Sequence, residues 1–322
     1  MRLGLRISGH RRTKDAVALA VAAERAGFDE VWLTEDYLER GIFTVAGAVA
    51  AATNRVRLGL GVVNPFTRHP GLIAMEAAAL CELAEGRVVL ALGGSNSRWI
   101  NGWLGIEHVK PLGAVREANE IIRSLLGGRP TRHDGAHFSV DAHMAFSVDS
   151  VPPIWYGVKG PQGLRAAAVD ADGVVLSVLS SPGYVEWVRQ VVGADVELGA
   201  FVEFSLGEDP VATRHAIRPF VARFLGMHGD AEITRRGGLG VDDARAFASA
   251  LASGSPDVAR VTNEILDSFV VVGDIDDCAR GVRRYESAGL DTFIVGDQPD
   301  RSTDGMIDDV MRCWEHAGLA VG

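Results

Sequence analysis

Two segments near the start of the chain end in charged side chains that could take part in acid–base chemistry. The segment LGLRISGH alternates, so its apolar residues share one face and Arg6 lies on the other. The segment VWLTEDYLERG ends an apolar run with the adjacent carboxylates Glu35 and Asp36. Such a carboxylate could orient a ring N–H, pair with Arg6, or act as an acid once burial raises its pKa. Capping of a following helix is the alternative role for either residue.

Arg6 needs a partner of its own, because an unpaired guanidinium is very costly to bury. That partner is either a structural glutamate near the rim of the fold or an anionic ligand. Glu203, in GAFVEFSLGEDP after the sixth predicted strand, is another possible inward carboxylate. An exposed rim charge is the favoured interpretation of Glu203. The sequence therefore leaves open whether Arg6 holds a substrate or only stabilises the rim.

Three further segments place small, polar or cationic residues just after apolar strands. In LGLGVVNPFTRHP, an apolar run ends at Asn64-Pro65 and continues into a stiffer polar segment than a plain turn requires. LALGGSNSRW contains a donor-rich turn at which backbone could approach a ligand closely. In WYGVKGPQG, Lys159 precedes a helix that begins with Pro161, an arrangement that favours anion binding. An ordinary helix entry is the alternative reading of this last segment.

The chemistry-bearing segments need a scaffold that brings strand ends together. Helical and strand patterns alternate along the chain, and the unit AGFDEVWL recurs near the other end as AGLDTFIV. Short apolar strands such as VVLALG and PIWYGV indicate burial on both faces, as in parallel sheets. The pattern predicts an α/β fold, a (β/α)8 TIM barrel that uses residues 1–322 as a single domain. The first βα turn contains no G-x-G-x-x-G, which argues against a dinucleotide-binding fold.

Two stretches depart from the βα rhythm. Residues 128–152 alternate around an Asp-Gly turn and predict a hairpin insertion before the fifth strand. Residues 207–268 are predicted to form extra helices over the C-terminal mouth of the barrel. Trp99 and Trp103, four residues apart on one helical face, are interpreted as core residues and not as a stacking platform.

Composition narrows the functional class. The chain has 322 residues, a net charge of −10 and no basic stripe, which argues against a nucleic-acid partner. It contains no apolar run long enough for a membrane span and no signal-peptide pattern at its start. Three widely spaced cysteines indicate neither a disulfide framework nor a metal site, and the histidines lack metal-binding spacing. We therefore expect a reduced, cytoplasmic protein without a metal, whose chemistry comes from an organic cofactor.

The motifs together resemble the luciferase-like monooxygenase superfamily, and within it the branch that uses the deazaflavin coenzyme F420. The resemblance rests on GVVNPFTRHP, LGIEHVKPLGAVREA and YGVKGPQGLRAAAVDADGVV, and on AGLDTFIVGD near the end. It implies a non-prolyl cis peptide between Gly61 and Val62, behind the central ring of the cofactor. It also implies that Asn64 reaches the ring or its ribityl chain and that Glu35 hydrogen-bonds near the pyrimidine end. The cofactor-binding set that the resemblance implies is Glu35, Gly61, Val62, Val63, Asn64, Thr67, Gly94, Ser95, Asn96, Gly157, Val158, Lys159 and Gly160.

The sequence departs from the family pattern on the substrate side. Asp36 stands where close relatives often carry histidine, Arg6 where the methanopterin-reductase branch has glutamate, and Asn96 where that branch has aspartate. These departures put a pterin substrate in doubt, and Arg6 would suit an anionic one. The candidate proton-transfer residues are Glu35, Asp36 and Glu203.

Three functions remain compatible with the resemblance. The first is a coenzyme F420-dependent reductase or dehydrogenase that moves a hydride between the deazaflavin C5 and a small organic substrate. The second is a monooxygenase that uses FMN, and the third is a non-catalytic barrel relative. By analogy with the family, a homodimer is expected, for which the apolar helix at residues 73–83 could serve.

Overall fold

The computed structural model describes residues 1–297 and 302–320, and a closed barrel of parallel strands lies at its centre. The strands of the described residues are β1 (Arg2–Ile7), β2 (Glu30–Leu33), β3 (Arg57–Val63), β4 (Val88–Leu92), β5 (Thr131–Asp134), β6 (Ser139–Ala142), β7 (Ile154–Tyr156), β8 (Gly173–Leu176), β9 (Glu197–Val202), β10 (Phe204–Leu206), β11 (Val271–Gly273) and β12 (Thr292–Gly296). The barrel runs β1-β12-β9-β8-β7-β4-β3-β2 and closes on β1. The predicted TIM barrel is therefore confirmed.

Helices connect and surround the strands. In chain order they are α1 (Thr13–Ala26), α2 (Ile42–Ala52), α3 (Pro70–Ala84), α4 (Ser97–Ile100), α5 (Pro111–Leu126), α6 (Pro161–Asp170), α7 (Pro182–Val192), α8 (Pro210–His228), α9 (Glu232–Arg235), α10 (Val241–Ala252), α11 (Asn263–Phe269), α12 (Ile275–Ser287) and α13 (Thr303–His316). Helix α1 is followed by Gly27, which adopts the left-handed conformation (φ 101°) and caps the helix. No helix of the described ranges is long and apolar enough to cross a bilayer.

The two predicted insertions correspond to distinct elements. Strands β5 and β6 form an antiparallel hairpin just before β7, the fifth barrel strand. Helices α8 to α11 lie between β10 and β11, and Phe220 and Phe224 of α8 pack against the cluster inside the barrel. The sequence pattern predicts the strand before Glu203 as the sixth of the barrel. It is the seventh, because the short strand β8 occupies the sixth position.

The barrel interior is filled by aromatic and aliphatic side chains. Trp32 and Trp155 lie with their ring centroids 5.2 Å apart, and Phe201 packs edge-on against Trp32. Gly59 leaves the space that the Trp32 ring occupies, since a Cβ at position 59 would lie 2.2 Å from that ring. This packing closes the middle of the barrel, so a ligand can enter only above it, where the strands end.

An ionic cluster closes the opposite, N-terminal end of the barrel. Glu30 pairs with Arg2 at 2.9 Å and with Arg57 at 3.4 Å, and it accepts a hydrogen bond from the indole nitrogen of Trp32. Glu197 pairs with the same two arginines. In TIM barrels this end contributes to stability and not to catalysis.

Candidate active site

The barrel mouth has two chemically different halves. The ends of β9, β12, β1 and β2 carry charged side chains, and we call this the ionic half. The ends of β3, β4 and β7 carry glycines and exposed backbone, and we call this the glycine-rich half. Because the eight strands are parallel, all of these ends meet at one face of the barrel.

The glycine-rich half is built around Val62. The peptide bond between Gly61 and Val62 is cis, at the position that the resemblance implies, and the register between β3 and β4 shifts there. The side chain of Val62 lies against the backbones of two neighbouring strand ends. A Cβ at Gly93 would lie 2.6 Å from Cγ2 of Val62, and one at Gly157 would lie 2.4 Å from Cγ1. Only glycine at both positions leaves Val62 where it is.

Asn64 is enclosed behind this bulge. Its side chain is completely buried, its Nδ2 donates to the Tyr37 hydroxyl at 2.8 Å, and its Oδ1 accepts from the Phe66 N–H at 2.9 Å. The Thr67 hydroxyl donates to the Asn64 carbonyl at 3.1 Å. Both side chains therefore hold the turn after β3 together. Their contact with a bound ring stays a prediction.

The turn after β4 has unusual backbone. Ser95 is exposed and adopts the left-handed region (φ 60°), which few residues other than glycine favour. Asn96 caps α4 and accepts from the Trp99 N–H at 3.2 Å. The Nε2 of His108 lies 2.7 Å from the carbonyl oxygen of Gly94 and holds that end of the turn.

The loop after β7 offers a cation and free backbone donors. Helix α6 begins at Pro161 and Gly160 is its N-cap, without a side-chain hydrogen bond to the first turn. The Tyr184 hydroxyl donates to the carbonyl of Lys159 at 2.7 Å and fixes the loop. The Lys159 residue is exposed at the surface, yet desolvation by the surrounding protein lowers the pKa of its ammonium. No carboxylate among residues 1–297 and 302–320 pairs with Lys159. An anion at the start of α6 would fit this arrangement.

His228, at the end of the inserted helix α8, joins the same region. Its Nε2 lies 3.0 Å from the carbonyl oxygen of Val178, so Nε2–H is the donor. Burial, and then the nearby positive charge of Lys159, lower the pKa of His228 to about 4. His228 is therefore neutral at physiological pH. A lone histidine at a helix end gives no sequence signal of its place in the fold, so only the structure reveals the role of His228.

The pH dependence of stability should reveal the neutral state of His228. Its pKa is about 4 in the folded chain against 6.5 in the unfolded one, so the unfolded chain binds the proton more readily. The contribution of neutral His228 to the free energy of unfolding is fully present above about pH 6.5 and is lost as the pH falls toward 4. We expect wild type to lose about 2 kcal/mol more than His228→Gln between pH 7 and pH 4.5, measured by urea unfolding. The glutamine keeps an N–H for Val178 but cannot titrate, and parallel losses in both proteins would contradict the prediction.

The ionic half pairs its charges internally. Arg6 lies 2.9 Å from Glu203, and Arg11 lies 2.7 Å from Asp297. Burial alone would lower the pKa of Arg6, but the carboxylates of Glu203 and Asp297 outweigh it and raise that pKa. The interpretation of Glu203 as an exposed rim charge is wrong, because Glu203 is buried. The expectation that Arg6 would hold an anionic substrate is likewise not supported, because Glu203 already supplies its counter-charge.

The two carboxylates after β2 have different surroundings. Glu35 pairs with Arg68 at 3.0 Å, while its other oxygen, Oε2, is buried without a hydrogen-bond partner in the described parts of the chain. Asp36 accepts from the Gly9 N–H at 2.8 Å and from the Thr34 hydroxyl at 2.7 Å. Neither caps a helix, because the N-cap of α2 is Gly41. Helix capping is thus excluded, and Glu35 keeps one oxygen for a ligand.

Other residues complete the rim. The interpretation of Trp99 and Trp103 as core residues is wrong, because Trp103 is 55% exposed and Trp99 is only partly buried. Sequence reasoning also missed Tyr37 and Asp297. Each had a local signal, since Tyr37 follows the paired carboxylates and Asp297 follows the last strand directly. Across the described residues, no group of histidine, cysteine or acidic side chains could hold a metal ion.

Comparison with known proteins agrees with this geometry. The family model described as luciferase-like monooxygenase matches residues 1–292. The chain belongs to the luciferase-like monooxygenase family. The match covers nearly the whole chain and includes the bulge of β3 and the glycine-rich strand ends at the barrel mouth.

Several luciferase-like relatives are oxidoreductases by name. The chain is 31% identical to a 5,10-methylenetetrahydromethanopterin reductase from Archaeoglobus fulgidus, over 85% of this chain and 86% of that protein. It is 30% identical to a putative coenzyme F420-dependent oxidoreductase from Mycobacterium tuberculosis, over 92% and 94%. Among solved structures, the coenzyme F420-dependent tetrahydromethanopterin reductase of Methanopyrus kandleri superposes with a TM-score of 0.84 at 23% identity, covering 96% of this chain and 97% of that one.

Proposed function

We propose that this chain is a coenzyme F420-dependent oxidoreductase that transfers a hydride between C5 of the deazaflavin and an organic substrate. The observation that carries the proposal is the packing of Val62 against Gly93 and Gly157, where the two glycines leave backbone exposed beside Val62 and form a wall in the glycine-rich half. A planar tricyclic ring can lie against such a wall. Names of relatives that refer to coenzyme F420 support the deazaflavin over FMN.

The surrounding residues fit the rest of such a cofactor. The free N–H groups at the start of α6, together with Lys159, would hold the tail phosphate. The unpartnered Oε2 of Glu35 would accept a hydrogen bond from a ring N–H. The turn at Ser95 and Asn96 would line the ring edge. When bound, the deazaflavin supplies the hydride chemistry, and the chain supplies orientation and the accompanying proton.

The proton role falls to carboxylates of the ionic half. Glu203 is buried beside Arg6 of β1, and Asp36 follows β2, the strand next to β1. We propose Glu203 as the group that exchanges the proton and Arg6 as the residue that positions it. A Glu203→Gln variant with unchanged turnover and unchanged dependence of turnover on pH would remove Glu203 from this role.

The test of the proposed function is a binding titration of the purified protein with coenzyme F420 and, separately, with FMN at matched ionic strength. We expect F420 to bind at least about tenfold more tightly, a difference of about 1.4 kcal/mol, as measured by cofactor fluorescence. A preference for FMN would instead favour the monooxygenase. Failure to bind either cofactor would favour a barrel relative without catalytic activity.

We also propose a homodimer. Helix α3 exposes an apolar stripe that contains Leu72, Met75 and Leu83. Neighbouring α2 is almost entirely apolar. Exposed apolar faces of this kind mark protein–protein contacts. Light scattering that gives the mass of one chain at micromolar concentration would refute the dimer.

A further inference from the structure

An aromatic series lines one side of the barrel mouth and has no role in the proposed hydride transfer. Tyr37 and Trp99 lie with ring centroids 6.1 Å apart, as do Trp99 and Trp103. Leu38, next to Tyr37, is 81% exposed and adopts the left-handed region (φ 66°). We call these four residues the aromatic wall. Of the four, Leu38 and Trp103 are exposed, and large exposed apolar side chains at a site entrance are typical of a surface that a ligand covers.

The aromatic wall is continuous with the glycine-rich half. The Tyr37 hydroxyl accepts a hydrogen bond from Nδ2 of Asn64, directly after the bulge of β3. The N–H of Trp99 donates to Oδ1 of Asn96, in the turn after β4. The wall therefore starts at the residues proposed to line the cofactor ring and extends outward to Trp103. A molecule that reacts at the ring and is too long for the mouth would lie along it.

The charge of the ionic half decides which molecules are accepted on the other side. In the ionic half and the adjoining start of α3, the described residues place three guanidinium groups against five carboxylates, namely Arg6, Arg11 and Arg68 against Glu203, Asp297, Asp36, Glu35 and Glu76. The side chains of Arg6 and Glu203 are only 13% and 11% exposed, so solvent screens this pair weakly. A carboxylate-bearing substrate would add negative charge to a region that already has an excess of it. An uncharged substrate meets no such cost.

We propose that the substrate is an uncharged organic molecule with an extended aromatic or polycyclic body, which stacks on the aromatic wall while its reacting carbon lies against the glycine-rich half. This inference rests on the proposed function and narrows its substrate class. It replaces the anionic substrate expected from Arg6 alone. The reaction needs a polar group only at the reacting end, where Glu203 can exchange a proton with it.

Binding to the F420-loaded protein, measured by equilibrium dialysis, tests the proposal with three probes. The probes are 2-acetylnaphthalene, its carboxylate analogue 2-naphthoate, and cyclohexanone, a neutral ketone without an aromatic body. We expect 2-acetylnaphthalene to bind at least about tenfold more tightly than either of the others. Trp103→Ala should weaken the binding of 2-acetylnaphthalene by about fivefold to tenfold and leave the affinities for cyclohexanone and F420 unchanged. Trp103→Phe should restore most of the loss.

The control is Phe146→Ala, which removes a 39% exposed aromatic side chain from the connection between β6 and β7, outside the aromatic wall. It should leave all three affinities unchanged. This inference is overturned, and the proposed function stands, if F420 binds but 2-naphthoate binds as tightly as 2-acetylnaphthalene. The same holds if Trp103→Ala leaves the affinity for 2-acetylnaphthalene unchanged. If Trp103→Ala lowers the mass measured by light scattering and leaves the probe affinities unchanged, the aromatic wall belongs to a subunit contact and the inference is overturned. A protein that binds no F420 overturns both.

Discussion

Replacing Glu30 by alanine should lower the free energy of unfolding by about 3 kcal/mol. Glu30 is almost completely buried at the N-terminal end of the barrel, where it pairs with Arg2 and Arg57 and accepts from the Trp32 indole at 2.7 Å. Burial raises the pKa of Glu30 despite these partners. The carboxylate thus depends on the two cations, which also pair with Glu197. Its removal leaves the buried indole N–H of Trp32 unsatisfied and takes one of two carboxylates from Arg2 and Arg57, which costs more than the pair contributes as a whole.

Chemical denaturation of wild type and Glu30→Ala at pH 7 measures this loss. Asp15→Ala is the control, because Asp15 and Arg12 form an exposed ion pair at 2.7 Å on the surface of α1. Exposed pairs contribute about 0–1 kcal/mol, so the control should remain close to wild type. Glu30→Gln keeps an acceptor for the Trp32 indole, so its free energy of unfolding should lie between those of Glu30→Ala and wild type. A loss below about 1 kcal/mol for Glu30→Ala would show that the cluster relaxes around the gap.

The Gly157→Ala substitution should weaken coenzyme F420 binding by more than about tenfold. A Cβ at this position would lie 2.4 Å from Cγ1 of Val62, a distance that real Cβ atoms do not reach. Val62 cannot retreat toward β4, because its Cγ2 already fills the space that a Cβ at Gly93 would need. The bulge of β3 must therefore shift into the region proposed for the cofactor ring. Overpacking of this kind costs about 1–3 kcal/mol of stability as well.

Gly47→Ala is the control for Gly157→Ala. Gly47 lies inside helix α2, outside the proposed cofactor site, and has open space where its Cβ would be. The F420 affinity of this variant should stay within about twofold of wild type, since no atom has to move. Cofactor fluorescence measures both affinities, and circular dichroism establishes that both variants are folded. Equal affinities for Gly157→Ala and wild type would mean that the wall built on Val62 does not contact the cofactor.

The sequence predicted much of the scaffold because its signals are local. The alternation of LGLRISGH places Arg6 inside the barrel, and the structure confirms it, since Arg6 pairs with Glu203 while Leu3 and Leu5 pack in the outer core. The glycine after α1 is a second local signal, since Gly27 adopts the left-handed conformation that ends the helix. Periodicity and helix termination are determined by residues a few positions apart, so one sequence is enough to read them.

The content of the site depended on contacts between distant segments. The partner of Arg6, the buried state of Glu203 and the exposure of Trp103 all follow from closure of the barrel, which joins β1 to β9 through β12. His228 reaches the mouth only because the insertion folds back over it. The sequence by itself determined the parallel barrel and the positions of the strand ends, since both follow from patterns within single βα units. Tertiary structure alone decided which charges neutralise one another and which aromatic rings stay exposed, because burial and pairing depend on neighbours that the chain brings together only on folding.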